Sequence, residues 1–478
     1  MWARSVTSRF LRSRPRADEP PGVSHVGRPP RPLGDVSRTR GSRTMSFTPR
    51  TKTNRVVVIG AGYAGMMATN RFLGSLTEEE RSRTVVTVVN PKPVFVERIR
   101  LHEVAAGSRN AVTIPLAWLL HADAEVVVGR AELIDTVARE VLVVSDDEDL
   151  RLPYDYLLYA VGSFASTAIE GAAEHAYVIA DHDGASAAAE AVRALPPRAR
   201  VSIVGGGLTG VEIASELAEQ HPELSVTLYC AGELVAQMRP AARRSLRRTL
   251  ERLGVRIDEH AEVSTVVPGG LRLSGDRALD HELCIVAAAF DVPDLARASG
   301  LPVDEAGRLE VDEYLRCIDN PAILGAGDAV VAPQSVAGHL RMGCATALPM
   351  GAHAAHTLLA AIRGAVPREL TIGYVLQCIS LGRKRGYIQL VRSDDTARRF
   401  HLGGRTGARV KEWICEMVVD SPKKESTQPG AYSWPKGPKR RAVTGAGSQS
   451  GGRAPVGARF GPEQHASYPV LSDRSRAS

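Results

Sequence analysis

The 478-residue sequence predicts an α/β protein with two Rossmann-like domains of the three-layer ββα type and a small C-terminal α+β unit. Two observations lead to this prediction. A short apolar strand, a glycine-rich turn and a helical segment occur in that order at 55–76 and again at 200–220. A second apolar strand follows each of them, at 84–90 and at 224–230, which is the pattern of a βαβ unit in a parallel sheet.

The other apolar runs are assigned in chain order. Three β-rich runs between 124 and 159 have short polar connections and predict a meander attached to the first unit. Further predictions are a basic helix at 240–253, strands at 282–289 and 322–330, a helix at 348–362, and a hairpin at 381–391 within a smaller unit at 371–418. Pro349 is expected in the first turn of its helix, where a missing N–H costs nothing.

The net charge of +7 belongs to the two ends of the chain. Residues 1–50 hold 11 Arg against 3 acids, residues 421–478 hold 10 Lys or Arg against 3 acids, and residues 51–420 therefore carry −8. Both ends are rich in Arg, Ser, Pro or Gly and are predicted to be disordered, so a nucleic-acid partner is not expected. Since no run of eighteen apolar residues occurs, a membrane-spanning helix is not expected either.

Two interpretations of the N-terminal segment stay open. The favoured interpretation is a disordered extension, with Met45 as the start of the protein. The other is a mitochondrial transit peptide, because residues 4–16 are rich in Arg and Ser.

The cysteines are at 230, 284, 317, 344, 378 and 415. No two of them are close enough for a CxxC or zinc motif, which predicts reduced thiols in an intracellular, cytoplasmic protein.

The first glycine-rich turn contains Gly60, Gly62 and Gly65 in GxGxxG spacing between a strand and a helix. The first glycine permits the tight turn, the second lets the backbone approach a pyrophosphate, and the third lets helix and strand pack closely. The predicted dinucleotide-binding residues of this turn are Gly60, Ala61, Gly62, Ala64 and Gly65. Asn90 stands where an acid usually binds the ribose hydroxyls, and its amide can also form such hydrogen bonds.

The second turn repeats this spacing with Gly205, Gly207 and Gly210, and Thr209 lies within it. Two dinucleotides in one chain predict electron transfer between them, which requires positioning more than acid, base or nucleophilic groups. Glu212 is expected in the first turn of the following helix, where the helix dipole stabilises a carboxylate.

His102, His339, His353 and His356 lack the spacing of metal ligands, so no metal site is predicted. These histidines are assigned structural or surface roles.

Residues 55–370 resemble the pyridine-nucleotide oxidoreductases, which are flavoproteins with two dinucleotide-binding domains. The segment YDYLLYAVGS at 154–163 is similar to the end of the family's first FAD half, and ILGAGDAV at 323–330 is similar to its FAD-binding GD motif. The resemblance implies FAD at the first turn, with Asn90, Gly162 and Asp328 among its ligands. It implies NAD(P)H at Gly205, Gly207, Thr209, Gly210 and Glu212, with Glu212 near the nicotinamide as a catalytic proton carrier.

The implied domain boundaries follow from the same motifs. They are a disordered basic extension at 1–53, a discontinuous FAD-binding domain at 54–165 and 290–370, an NAD(P)H-binding domain at 166–289, a small C-terminal domain at 371–420, and a disordered basic tail at 421–478.

Within the family, the sequence is most similar to type II NADH dehydrogenases and apoptosis-inducing-factor-like flavoproteins. Disulfide reductases keep a cysteine pair in the segment that here reads FVERIRLHEVAAG, at 95–107, and it contains no cysteine. The implied function is an FAD-containing oxidoreductase that transfers hydride from NADH to flavin and then electrons to a quinone or a small electron carrier. The alternatives are an NADH-sensing flavoprotein and an NAD(P)H-ferredoxin or rubredoxin reductase.

Several positions leave the details of this function open. The stretch at 345–356 lacks the glutamines of the family's quinone site, and Cys230 replaces the acid that would select NADH over NADPH. Glu233 and an Arg-rich helix follow Cys230 in the sequence. NADH is favoured over NADPH only because the sequence resembles the NADH dehydrogenases. The segment at 408–419 is assigned to core packing ahead of peripheral contact with the inner face of a membrane, and a homodimer stays open.

Overall fold

The computed structural model describes residues 53–438, except 147, 180 and 276. The N-terminal extension, with its start-site and transit-peptide interpretations, lies outside the described residues up to position 52, and so does the C-terminal tail from 439. Within the described part the predicted α/β architecture is confirmed. Two five-stranded parallel sheets are each covered by helices and small antiparallel sheets.

The first sheet and its connections are built from residues 54–159. The elements are β1 (Asn54–Ile59), α1 (Tyr63–Ser75), α2 (Glu78–Arg81), β2 (Thr84–Asn90), β3 (Val94–Val96), a 3-10 turn (Arg98–Arg100), α3 (Leu101–Ala105), β4 (Thr113–Pro115), α4 (Leu116–Leu119), β5 (Ala124–Val128), β6 (Arg130–Asp135), β7 (Glu140–Val144), β8 (Leu150–Pro153) and β9 (Tyr156–Tyr159).

The chain that follows forms the second sheet, its connections and strands of small antiparallel sheets. Its elements are β10 (Phe164–Ala165), α5 (Ala172–His175), β11 (Tyr177–Val178), α6 (His182–Arg193), β12 (Arg200–Val204), α7 (Leu208–Gln220), β13 (Ser225–Tyr229), α8 (Pro240–Arg252), β14 (Arg256–Asp258), β15 (Val263–Val267), β16 (Gly270–Leu273), β17 (Ala278–Asp280) and β18 (Leu283–Val286).

The chain then returns to the first sheet and ends in the C-terminal unit. The elements are β19 (Phe290–Asp291), α9 (Leu295–Ala298), β20 (Leu309–Glu310), β21 (Ile323–Gly325), β22 (Val330–Val331), α10 (Gln334–Ala337), α11 (Cys344–Ile362), β23 (Leu376–Ser380), β24 (Gly386–Val391), β25 (Ala397–Gly403) and α12 (Gly404–Glu425).

The first parallel sheet has the strand order β21-β9-β1-β2-β5. The predicted meander between 124 and 159 is therefore wrong at both ends, because β5 pairs with β2 and β9 pairs with β1 in parallel. Only β6, β7 and β8 form an antiparallel meander. For β9 the reason lies in burial: Leu157, Leu158 and Tyr159 are all buried, which is typical of a strand covered on both faces.

The second parallel sheet has the order β11-β18-β12-β13-β14. One of its faces packs on α6 and α7, where Val201, Ile203 and Leu217 are buried. The other face packs on the antiparallel sheet β15-β16-β17 through Val204, Val286 and other buried apolar residues. This arrangement is the predicted three-layer ββα sandwich.

The C-terminal unit contains the predicted hairpin, β23 and β24, completed by β25 and by the 22-residue helix α12. Residues 408–419 pack in the core as predicted, with Ile414 and Val418 buried. The expectation of a disordered tail from 421 is wrong as far as residue 438. Helix α12 continues to Glu425, and Trp434 donates a hydrogen bond of 2.9 Å to the carbonyl of Thr371.

Helix α11 begins one turn earlier than the sequence indicated. Because it starts at Cys344, Pro349 is its sixth residue and not a first-turn residue. The helix crosses α1 at very short range, since a Cβ on Gly351 would lie 2.2 Å from the carbonyl oxygen of Ala64. Among the residues that the structure describes, no helix combines the length and apolar character needed to span a bilayer.

Candidate functional site

The first glycine-rich turn connects β1 to α1 at the carboxyl edge of its sheet. Gly60 has a φ of +99°, which only glycine adopts without strain. A Cβ on Gly65 would lie 1.9 Å from the carbonyl oxygen of Gly60, so helix and turn touch directly. In contrast, a Cβ on Gly62 would meet no atom within 4 Å. The space in front of Gly62 is therefore open and can hold a ligand.

Asn90 braces this turn from the end of β2. Its Oδ1 accepts a hydrogen bond of 3.0 Å from the N–H of Ala61, and its Nδ2 donates one of 2.7 Å to the carbonyl of Lys92. The side chain that the sequence predicts to bind ribose therefore has a structural function, because it holds the backbone of the turn.

Asp328 connects three segments beside the same turn. Its Oδ2 accepts a hydrogen bond of 2.8 Å from Ser163 Oγ, and its Oδ1 accepts one of 2.8 Å from the N–H of Gly343, which precedes α11. Gly162 is adjacent to Ser163, and Gly327 lies against Ala64, where a Cβ would be 3.3 Å from that of the alanine. The fold therefore brings together the candidates that are distributed over 270 residues of sequence.

Arg98 was missed by the sequence reasoning, which used its segment only for the absence of cysteine. The guanidinium donates a hydrogen bond to the carbonyl of Ser163 and faces Asp328. Burial lowers the pKa of Arg98, and the nearby carboxylate of Asp328 opposes this shift. An arginine within RIRLHE was the only sequence signal, and it becomes meaningful only once the chain is folded.

The second glycine-rich turn repeats the geometry of the first at the carboxyl edge of the second sheet. Gly205 has a φ of +127°, and a Cβ on Gly210 would lie 1.9 Å from the carbonyl oxygen of Gly205. Gly207 again faces open space within 4 Å. Thr209 lies partly exposed in the first turn of α7. The two turns are thus built in the same way, with one solvent-facing glycine in each.

Glu212 is the fifth residue of α7 and so does not lie in its first turn as predicted, because the helix begins at Leu208. Its side chain extends into a polar contact with the C-terminal unit. Its Oε1 lies 3.1 Å from Lys411 Nζ and accepts a hydrogen bond of 2.9 Å from the N–H of Ser380. Burial would raise the pKa of Glu212, but Lys411, His102 and the Ser380 N–H outweigh it and lower the pKa below its ordinary value. The side chain is therefore an ionised carboxylate that is 14% exposed.

His102 interacts electrostatically with the carboxylate of Glu212. It is buried, and burial lowers its pKa to about 4. Its Nε2 lies 3.3 Å from Arg383 Nη2, which fits a neutral ring that accepts at this nitrogen. His102 is thus a buried, neutral ring among charged neighbours.

A network of ion pairs attaches α12 to both dinucleotide-type domains. Next to Lys411 on this helix, Glu412 pairs with Arg100 at 2.8 Å. Arg383, in the β23–β24 turn, pairs at 2.8 Å with Glu103 of α3 and at 2.8 Å with Glu216 of α7. The C-terminal unit therefore contacts the segment after β3 and the helix of the second turn at once.

Over the described ranges, no group of three or more His, Cys, Asp or Glu side chains is placed to hold a metal ion. The six cysteines at 230, 284, 317, 344, 378 and 415 are free thiols.

The comparisons with known proteins agree with this architecture. A family model described as pyridine nucleotide-disulphide oxidoreductase matches residues 54–357. An NADH dehydrogenase-like protein of Mycobacterium tuberculosis is 31% identical in an alignment of 329 positions, which covers 63% of this chain and 78% of that protein.

Two solved structures share the fold at low sequence identity. The sulfide:quinone oxidoreductase of Aquifex aeolicus has a TM-score of 0.68 and 16% identity, over 79% of this chain and 93% of that one. The NDH2 protein of Plasmodium falciparum, solved in complex with NADH, has a TM-score of 0.65 and 15% identity, over 80% of this chain and 99% of that one.

Proposed function

Because this chain belongs to the pyridine nucleotide-disulphide oxidoreductase family, it is an oxidoreductase with FAD and a nicotinamide dinucleotide as cofactors, and we propose that it oxidises NADH and reduces a quinone. Bound FAD would supply the chemistry by accepting a hydride at its flavin ring and passing on two electrons. The observation that supports this function most directly is the repeated turn, in which Gly62 and Gly207 each leave an open space where a Cβ would intrude.

The first turn is the proposed FAD site. Helix α1 begins directly after Gly62, where the space is open, and a helix N-terminus attracts a pyrophosphate. Gly60, Ala61, Ala64 and Gly65 shape this cradle. Asn90, Gly162 and Asp328 complete the proposed site, and Arg98 adds a buried positive charge beside Asp328.

The second turn is the proposed NADH site. Gly205, Gly207, Thr209 and Gly210 form the cradle for its pyrophosphate, by the same reasoning as for the first turn. Glu212 follows one helical turn later and would lie near the nicotinamide. Its ionised carboxylate can accept a hydrogen bond from a carboxamide N–H or hold a proton, and Lys411 keeps it charged in the free protein.

A quinone is the proposed acceptor on the resemblance to type II NADH dehydrogenases, although residues 345–356 lack the glutamines of that family's quinone site. The segment at 95–107 contains no cysteine pair that could relay electrons to a disulfide. The sulfide:quinone oxidoreductase and NDH2 structures share the architecture, although their low identity extends only to the fold. The N-terminus of the 19-residue helix α11 lies beside Asp328 and favours negative charge in that region, as a reduced cofactor would carry.

Peripheral contact with the inner face of a membrane is part of this proposal. Strand β25 forms the edge of its sheet and exposes Phe400, of which 57% is accessible, beside Arg398 and Arg399. Trp413 of α12 is also exposed. Aromatic and basic side chains together favour the interface of an anionic bilayer, where a lipid-soluble quinone is found.

The function is tested by anaerobic mixing of the purified, FAD-loaded protein with NADH. We expect rapid loss of the flavin absorbance and its recovery when a short-chain quinone is added. If the flavin stays reduced for minutes in the presence of quinone, the quinone proposal fails and the sensing alternative gains support. If reduced ferredoxin or rubredoxin accumulates instead, the protein is a reductase of small iron–sulfur carriers.

A further inference from the structure

The end of β13 is the position at which Rossmann-type domains distinguish NADH from NADPH. In Rossmann-type domains an acid at this position binds the ribose 2′-hydroxyl of NADH, whereas a nearby arginine accommodates the 2′-phosphate of NADPH. Cys230 occupies the position and is 1% exposed. It packs beneath the turn, since a Cβ on Gly206 would lie 2.5 Å from its Sγ. The usual selecting acid is therefore replaced by a buried, neutral thiol.

The nearest charges after Cys230 form two ion pairs with α8. Glu233 pairs with Arg243. Glu259, at the end of β14, lies 2.5 Å from Arg247 and also accepts a hydrogen bond of 2.7 Å from the N–H of Leu234. Because Arg243 and Arg247 are four residues apart on a helix, both face the loop that follows β13.

The two carboxylates differ in how firmly they are held. Glu259 is 26% exposed and braces the loop, whereas Glu233 is 50% exposed and interacts with a single arginine. A phosphate dianion can displace such an exposed carboxylate, because arginine binds phosphate through two parallel hydrogen bonds. Exposed ion pairs of this kind contribute little stability, so the displacement costs little.

We propose that Arg243 and Arg247 form a 2′-phosphate subsite, so that the second turn accepts NADPH as well as NADH. This inference rests on the proposed function, in which that turn binds a nicotinamide dinucleotide. Glu233 is the counter-ion that the phosphate replaces, and Cys230 raises no charge barrier against it.

The test compares two ligands that differ only by the 2′-phosphate. Binding of adenosine 2′,5′-bisphosphate and of adenosine 5′-monophosphate to the full-length, FAD-loaded protein is measured by calorimetry. We expect the bisphosphate to bind about tenfold or more tightly, and the difference to shrink as salt is raised. Equal or weaker binding of the bisphosphate overturns the inference.

Three variants locate the subsite. Arg243→Gln is expected to weaken bisphosphate binding about tenfold while leaving the monophosphate unaffected. Glu233→Gln is expected to strengthen bisphosphate binding several-fold, because Arg243 loses its competing partner. Arg248→Gln, an exposed position on the same helix, is the matched control and should change neither affinity. An equal loss in Arg248→Gln and Arg243→Gln would show a diffuse charge effect and contradict a defined subsite.

Failure of this inference differs from failure of the proposed function. If NADH reduces the flavin but NADPH does so with an efficiency more than about a hundredfold lower, the function stands and the subsite does not. If neither nicotinamide reduces the flavin and neither adenosine ligand binds, the proposed function itself is wrong.

Discussion

At the scale of single residues, the three glycines of each turn have separate physical roles. Gly60 and Gly205 provide positive φ, and Gly65 and Gly210 allow contact between helix and turn. Gly62 and Gly207 have ordinary extended conformations, with φ of −72° and −79°, and face open space. The fold itself therefore does not require glycine at these last two positions, and only a ligand would.

This difference gives a matched pair of predictions. Gly62→Ala should retain the fold but lose FAD, because its methyl group occupies the proposed pyrophosphate space. Gly207→Ala should retain FAD and weaken NADH binding about tenfold or more. Flavin content after gel filtration and the NADH concentration for half-maximal flavin reduction measure the two effects.

The control is Gly65→Ala, whose Cβ would lie 1.9 Å from a backbone oxygen and should disrupt folding itself. If Gly62→Ala binds FAD normally, the first turn is not the FAD site.

Glu212 carries a second residue-scale prediction. Glu212→Gln keeps the shape of the side chain but removes its charge and its ion pair with Lys411. We expect the rate of flavin reduction by NADH to fall about a hundredfold if the carboxylate carries a proton, and flavin content to stay unchanged. Stopped-flow absorbance measures the rate, and Glu190→Gln on the exposed face of α6 is the control. An unchanged rate would leave Glu212 with a stabilising role alone.

At the scale of elements, the end of α12 is held by a buried ion pair. Arg71 of α1 and Glu425 form two hydrogen bonds of 2.8 Å each, and their side chains are 2% and 0% exposed. Glu425 also accepts a hydrogen bond of 2.7 Å from the N–H of Gly430, and the guanidinium of Arg71 lies over the ring of Trp434. Residues 421–438 are thus fastened to α1, the helix of the first turn.

Glu425→Gln should destabilise the protein by about 3–5 kcal/mol, because it leaves the buried charge of Arg71 without its partner. Denaturant unfolding of the full chain measures this loss. Glu416→Gln, at an exposed position of the same helix, should change the free energy of unfolding by less than about 0.5 kcal/mol. The double variant Arg71→Met/Glu425→Leu should be more stable than Glu425→Gln, since no charge is then buried alone. A double variant that is less stable than the single one would contradict this account.

At the scale of the whole molecule, buried histidines predict how stability depends on pH. Burial lowers the pKa of both His102 and His353 to about 4, and an unfolded chain has histidine pKa values near 6.5. Between these values the unfolded state binds more protons than the folded state. The contribution of each histidine is therefore complete above pH 6.5 and is lost as the pH falls toward 4.

The expected loss between pH 7 and pH 5 is about 2 kcal/mol for each of these histidines. His353→Gln should reduce the pH dependence of the unfolding free energy by that amount, whereas His175→Gln, an exposed position, should not change it. Denaturant unfolding at the two pH values, with FAD in excess, measures the difference. An unchanged slope in His353→Gln would mean that folding does not lower the pKa of this ring.

The architecture was predictable because its signals are local. A buried strand, a glycine turn and a helix follow one another within 55–76 and again within 200–220, so each unit could be recognised from spacing. The errors arose where partners are distant: β9 pairs with β1 and β21, and Glu425 pairs with Arg71, which lies 354 positions earlier. A polar tail of low hydropathy resembles a disordered segment until a buried arginine provides its partner.

The sequence by itself determined the two glycine turns, their order in the chain and the position at the end of β13, because glycine conformations and strand-end positions are properties of short segments. Only the tertiary structure placed Ser163, Asp328 and Gly343 beside the first turn, and Ser380 and Lys411 on Glu212. These contacts depend on parallel strands that return from far along the chain, and no local pattern encodes which distant segments will meet.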